Sequence, residues 1–291
     1  MLSLHTNAAS LSAQNAITRT QSQLSTSQTR LSTGFRVNSA MDDAAGLQIA
    51  TRLQYQTSGM TVAMRNTQNS ISMMQTAEGA LNETTNILVR MKDLATQAAD
   101  GSSNSNDKSA MQSEFDALTN ELSNIVGNTS FGGQKLLQSG GGTFDASVTF
   151  QIGASTAEKM TVDLSTSVNA MHTALQAAST EYDGTGATTS GTTGTELTSN
   201  ASSTIDALAS AIDSVSTVRS ALGATSNRLD HVYNNLANIS TNTKAASGRI
   251  MDTDFATESS NMTSAQMLLQ AGTAMLKQSN STSSLVMSLL Q

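Results

Sequence analysis

The chain has 291 residues, a formal net charge of −7 and a sequence pI near 4.9, and it contains no Cys, Trp or Pro. Without Cys there is no disulfide, thiol or Cys-zinc chemistry, and without a basic block or aromatic-basic interleaving nucleic acid is excluded as a partner class. Aromatics make up only 3% of the residues, which argues against an ordinary compact globule, while the absence of Pro fits long uninterrupted helices. No run of 18 apolar residues is present, so no membrane span is expected.

In chain order, MLSLHTNAAS (1–10) lacks the charged start and apolar stretch of a cleavable secretory signal, so any export is expected by another route. Leu4, Ala8 and Leu11 fall on one helical face, and Ile17, Leu24 and Leu31 then recur every seven residues, predicting an amphipathic helix. Ser39 can cap a second helix, with Asp42 three residues on completing a capping-box-like pair. That helix runs from 42 to 99 on the heptad Leu53, Met60, Thr67, Met74, Leu81, Leu88 and Ala95. DGSSNSND (100–107) turns the chain, and Met111, Phe115, Leu118, Leu122 and Ile125 predict a shorter helix ending near Gly127.

Between 130 and 165 the period changes. FGGQKLLQSGGG is turn-like, Val148, Phe150 and Ile152 alternate, and so do Met160, Val162 and Leu164, with GASTAEK between them: a β-hairpin. GTGATTSGTTGTELTSN (184–200) reads as a low-complexity exposed loop. Helical spacing returns with Ile205, Leu208, Ile212, Val215, Leu222, Leu229, Tyr233 and Leu236, interrupted by Arg219 and Ser226. In the tail, positions 265, 268, 272, 275, 279, 282, 286 and 289 alternate steps of three and four, a seam with small residues that lets a neighbouring helix approach closely, widened by Leu269, Leu276 and Leu290. The fold class is therefore mainly α: an elongated helical bundle or coiled coil of N- and C-terminal helices with a small β-hairpin region. The apolar side chains of the tail, Leu285, Val286, Leu289 and Leu290 among them, do not offset the entropy of ordering some 35 residues alone. Both ends are expected to be disordered in a free subunit and helical when neighbouring subunits cover them.

RLSTGFRVNSAMDDAAGLQIATRL (30–53), ISMMQTAEGALNE (71–83), GATSNRLD (223–230) and ATESSNMTSAQMLLQAGTAMLKQSN (256–280) together resemble bacterial flagellin, in a short form without large outer domains and similar in this respect to lateral flagellins. The resemblance implies a structural, non-enzymatic subunit, without cofactors, of the extracellular flagellar filament, active in motility and secreted through the flagellar type III apparatus. It implies three parts: 1–40 with 254–291 as an inner-tube terminal coiled coil, 41–175 with 203–253 as a rod domain with the hairpin, and 176–202 as a short exposed variable loop. Subunit packing is expected from Leu4, Leu11, Ile17, Leu24, Leu31, Leu268, Leu269, Met275, Leu276, Leu285, Val286, Leu289 and Leu290. Implied partners are further copies in a helical homopolymer, a tail-binding export chaperone, and filament cap and hook-junction proteins. A host Toll-like receptor would contact positions matching Arg90, Leu94 and Glu114, with Met91 and Phe115 beside them in place of other residue types. The alternatives are a hook–filament junction protein with similar ends, or a secreted effector carrying flagellin-like ends.

Other constellations carry less. His5, His172 and His231 show no metal spacing and read as solvated surface. Asp252, Asp254 and Glu258 suit a helix start better than a cation loop, and Asp42 with Asp43 likewise. SGGG (139–142) lacks the GK[ST] of a phosphate loop, and no H-E-x-x-H occurs. The Met residues at 60, 64, 73, 74 and 91 are expected in the core.

Overall fold

A computed structural model describes residues 7–186 and 194–289, with side chains up to 282. The expectations for Leu4, Leu290, the loop at 187–193 and the side chains of Leu285, Val286 and Leu289 lie outside the described residues. The described chain runs α1 (Ala8–Thr33), α2 (Ala44–Ala99), α3 (Ser105–Asn128), β1 (Ser130–Phe131), β2 (Gln134–Lys135), a 3-10 turn (Thr143–Asp145), β3 (Val148–Gln151), β4 (Lys159–Val162), α4 (Ser165–Ala178), α5 (Glu196–Ser199), α6 (Ala201–Met251) and α7 (Phe255–Leu289). It divides into two compact units, 1–57 with 241–291 and 58–240, so α2 and α6 contribute to both.

The larger unit owns the principal core. On α2 the heptad Met60, Thr67, Met74, Leu81, Leu88 and Ala95 is buried, together with the interleaved Ala63, Ser70, Ala77, Thr84, Met91 and Ala98. These alternate steps of three and four are the two inward rows of a coiled coil. On α6 Leu208, Val215, Leu222 and Leu229 are buried every seven residues and join the same cluster. Arg219, which interrupts that pattern in sequence, reaches Glu78 of α2 at 3.0 Å. The antiparallel strands β3 and β4 pair Val148 with Val162 and Phe150 with Met160, placing Phe150, Met160 and Val162 in that core.

The helix starts show local chemistry at work. Asn104 and Asp107 form a complete capping box on α3. At α2 the cap is Asp43, whose Oδ1 accepts from the Gly46 N–H at 2.8 Å. Ser39 therefore does not cap this helix. It belongs to the preceding turn, where Asp42 Oδ2 accepts from the N–H groups of Ser39 and Asn38 at 2.8 and 3.1 Å. Those bonds hold the Asp42 carboxyl below its ordinary range.

Two expectations are corrected. The segment read as an exposed loop, 176–202, buries Tyr182, Gly184, Leu197 and Ala201 among its described residues, and α4 precedes it. The fixings are polar and invisible to periodicity. Gln112 of α3 donates Nε2 to Glu196 and Asp116 at 2.9 and 2.7 Å, and its Oε1 accepts the Leu197 N–H at 2.7 Å. Glu196 Oε1 accepts from the Thr180 N–H and hydroxyl at 2.9 and 2.7 Å.

His172 is likewise buried, not solvated. Its Nε2 lies 2.9 Å from the Leu137 carbonyl oxygen and its Nδ1 2.8 Å from the Tyr182 hydroxyl. A carbonyl only accepts, so Nε2 carries the proton of the neutral ring and Nδ1 accepts from Tyr182. Burial pushes the His172 pKa below its ordinary 6.5, against the weaker upward pull of the Leu137 bond and Asp145. The unfolded chain thus takes up a proton near pH 6.5 that the folded site resists. The stability from His172 is complete above pH 6.5 and falls as pH drops below it. Glu181, raised by burial and by Asp116 and Glu196, acts in the opposite sense at lower pH. Urea unfolding between about pH 7.5 and about pH 5.5 reads the His172 contribution. Stability is expected to decline across that window, and His172→Gln is expected to flatten the decline while lowering stability throughout.

Candidate assembly surface

The smaller unit begins where α1 must stop. Gly34 adopts φ +76°, a left-handed cap open to Gly, and its N–H donates to Arg30 O at 2.8 Å. The chain then runs antiparallel to the α6–α7 connection. Phe35 bridges Asp252, Thr253 N–H donates to Gly34 O at 3.0 Å, and Arg36 N–H donates to Met251 O at 2.6 Å. This clasp, with the first turns of α2 and the last of α6, explains why the unit extends to 57 and back to 241, beyond the expected 40 and 254. Asp254 caps α7, accepting from Ala256 N–H at 2.9 Å and Thr257 Oγ1 at 2.8 Å, and these bonds hold its carboxyl below the ordinary range.

From that clasp α1 and α7 pack against each other. The least exposed positions are Ser10, Ala13, Ile17, Thr20, Leu24, Ser27 and Leu31 on α1, and Glu258, Met262, Ala265, Leu269, Gly272, Leu276 and Ser279 on α7. Both rows alternate steps of three and four. The small residues set the distance between the helices: a Cβ on Gly272 would stand 2.9 Å from Ile17 Cγ1. At one end Asn7 caps α1 through Ser10 N–H at 3.1 Å and donates Nδ2 to Ser279 at 3.3 Å. At the other, Arg30 lies 3.6 Å from the buried Glu258. Between them a groove of about 390 Å³ is lined by Gln23, Thr26, Arg30, Asn261, Ser264 and Leu268.

The expected packing residues therefore split. Ile17, Leu24, Leu31, Leu269 and Leu276 lie on the seam within the chain and are half-buried there. Leu268 and Met275, expected on that seam, turn away from it and are 60% and 67% exposed, with Met267 at 60% and Leu11 at 55%. Ala265, Gly272 and Ser279 of the expected row do lie on the seam; between them Leu269 and Leu276 take the place of Leu268 and Met275, one position and roughly 100° around the helix. Sequence reading did not single out Met267 or Glu258 as packing residues. The paired acid at 258 and base at 30 was the available signal for the latter.

Of the expected receptor positions, the structure joins two and removes one. Arg90 Nε and Nη2 donate to Glu114 Oε1 at 2.9 and 2.6 Å across α2 and α3, and both side chains are exposed. Leu94 is 2% exposed and sits in the core, leaving it no surface for a partner. Among the described residues no group of three or more His, Asp or Glu is placed to hold a metal, and no helix is long and apolar enough to cross a membrane.

The family model for the bacterial flagellin N-terminal helical region matches residues 4–141, and that for the C-terminal helical region matches 205–290. The chain is 35% identical to flagellin A of Vibrio anguillarum over an alignment that spans 100% of both chains. It belongs to the bacterial flagellin family. Polar flagellin F of Vibrio parahaemolyticus is 51% identical over 163 residues, 56% of this chain, and the match spans 42% of that relative's length. At the level of fold alone, a solved Vibrio parahaemolyticus structure assigned as a flagellar hook-associated protein superposes with a TM-score of 0.55 at 13% identity, covering 72% of this chain and 100% of that one. The α1 and α7 segments of this flagellin lie inside the two family matches.

Gly272→Leu is expected to force the pair apart at Ile17, costing about 1–3 kcal/mol. Circular dichroism during thermal melting of the assembled polymer measures it. Adding Ile17→Ala is expected to recover part of the loss, a coupling that a change in helix propensity alone would not produce.

Proposed function

We propose that this chain is a structural subunit that polymerises with copies of itself into a bacterial flagellar filament, outside the cell, in the service of motility. The observation that carries the reading is the outward apolar stripe of α7, Met267, Leu268 and Met275, with Leu11 of α1 also outward, on a helix pair whose facing rows already meet each other. Side chains of this size left in water on one face are an unfinished interface. Membership of the flagellin family supports a second copy of the same chain as the group that covers them. The work of such a subunit is mechanical, and no residue is assigned a catalytic role.

Family membership also supports export through the flagellar type III apparatus, a chaperone for the tail, and contacts with cap and hook-junction proteins. For a host Toll-like receptor, the exposed Arg90–Glu114 pair is the part of the expected contact that presents a surface, with Leu94 supporting the α2 backbone from beneath.

Leu268→Asp tests the reading. Placing a carboxylate where an apolar contact forms costs more than the roughly 1–2 kcal/mol of the lost burial, so the critical concentration for polymerisation is expected to rise at least about tenfold. Ser202→Asp, at the exposed first turn of α6 where a carboxylate is favoured, serves as the control and is expected to polymerise normally. Equal sedimentation of the two variants would contradict the proposal.

A further inference from the structure

Of the 15 methionines in the chain, those whose side chains are described fall into sharply different environments. Met60, Met74, Met91, Met160 and Met171 are buried in the larger unit, none more than 5% exposed. Met267 and Met275 are 60% and 67% exposed, and both stand on the outward stripe of α7 beside Leu268. Met41, at 97%, is the most exposed of the described methionines, but it lies in the turn before α2 and not on α7. Thioether oxidation follows access of the oxidant to sulfur. The same feature that makes two of these side chains available for docking makes them available to oxidants.

We infer that Met267 and Met275 are sites of reversible oxidation by peroxide-class oxidants, and that their oxidation blocks self-assembly. The chemistry balances within the named reagents. A sulfur lone pair of Met275 attacks one peroxide oxygen, the S–O bond forms as the O–O bond breaks, and a proton transfer releases water. The thioether is oxidised by two electrons to the sulfoxide, and the peroxide is reduced. The product replaces a flexible apolar group by a polar one with a strong acceptor oxygen. On an exposed helix face that oxygen is hydrated at no cost. Buried against an apolar partner it loses that hydration, which costs more than burying the thioether it replaces. Leu268 and Met275, seven residues apart, fall on one line of the helix, and Met267 lies about a quarter turn around, so the two sulfoxides would flank the same contact. Docking in turn shields the two sulfurs, so free subunits are the susceptible form.

This inference rests on the self-assembly reading, and the experiment separates the two. Full-length subunits are treated with hydrogen peroxide, the modified residues are read by peptide mass spectrometry, and assembly is read by sedimentation and electron microscopy. Met41, Met267 and Met275 are expected to oxidise before the buried methionines. The oxidised protein is expected to show at least a tenfold rise in critical concentration, reversed by a methionine sulfoxide reductase. The double variant Met267→Leu/Met275→Leu keeps the stripe apolar without sulfur; measured against its own untreated critical concentration, peroxide is expected to produce no rise, whereas Met41→Leu is expected to lose assembly on treatment as the unaltered protein does. Full oxidation of Met267 and Met275 with unchanged assembly would overturn the inference, and so would equal loss in the double variant. Untreated protein that forms no filaments would instead overturn the assembly reading itself.

Discussion

The rest of the smaller unit depends on one thin contact, the seam between α1 and α7. It is built from residues too small to fill space: Ala13, Ser27, Ala265, Gly272 and Ser279 alternate with Ile17, Leu24, Leu269 and Leu276. Small residues allow the helices to approach closely, yet they bury little apolar area, and area removed from water is the main favourable term in folding. Among the described side chains of the two helices only Ser27, Glu258 and Ala265 are buried. The seam fixes which faces meet. It does not supply a core of the kind that holds a domain by itself.

The larger unit shows what a filled core from the same chain looks like. Two interleaved rows on α2 from Met74 onward, two on α6, and the apolar faces of α3, α4 and the β3–β4 hairpin converge on a cluster that includes Met74, Leu81, Phe115, Leu122, Phe144 and Val215, while Met60, Ala63 and Leu236 form a smaller one. Two polar side chains drawn into it are well supplied: Gln112 makes three hydrogen bonds and His172 two. Such pairing is what makes a buried amide or imidazole tolerable, and it gives the segment between α4 and α6 a defined course that apolar packing alone would not. The contrast between the units is one of completeness. The larger leaves Val62, Val89 and Ile239 outward, each less than half exposed, and the smaller leaves Leu11, Met267, Leu268 and Met275 at 55% or more. The filament reading assigns the completion to further copies.

The long helices were legible because their signal is redundant. Met60, Thr67, Met74, Leu81, Leu88 and Ala95 repeat the same statement six times, and one polar member, Thr67, did not obscure it: its hydroxyl donates to the Ala63 carbonyl and so is buried without loss. The hairpin was legible from alternation across β3 and β4. The α1–α7 seam was legible only to within one position, because with Gly, Ser and Ala on the inner row the apolar residues at 268 and 275 outweigh the true seam in sequence. The segment from 176 to 202 failed for a different reason. Its Gly, Ser and Thr content is that of a loop, and its order is set by long-range hydrogen bonds from Gln112 and Asp116 that have no local pattern. Burial of His172 was hidden likewise, since its partners Leu137 and Tyr182 meet it only in the folded unit.

If the seam is as incomplete as its residues indicate, the order of α7 is set by its surroundings rather than by α1. Hydrogen–deuterium exchange of the backbone amides of Phe255–Leu289, compared between dilute subunits and sedimented polymer, tests this directly. The account predicts fast exchange along α7 in dilute subunits and strong protection in the polymer, with the amides around Leu81 and Leu88 of α2 protected equally in both. Equal and strong protection of α7 in dilute subunits would contradict it.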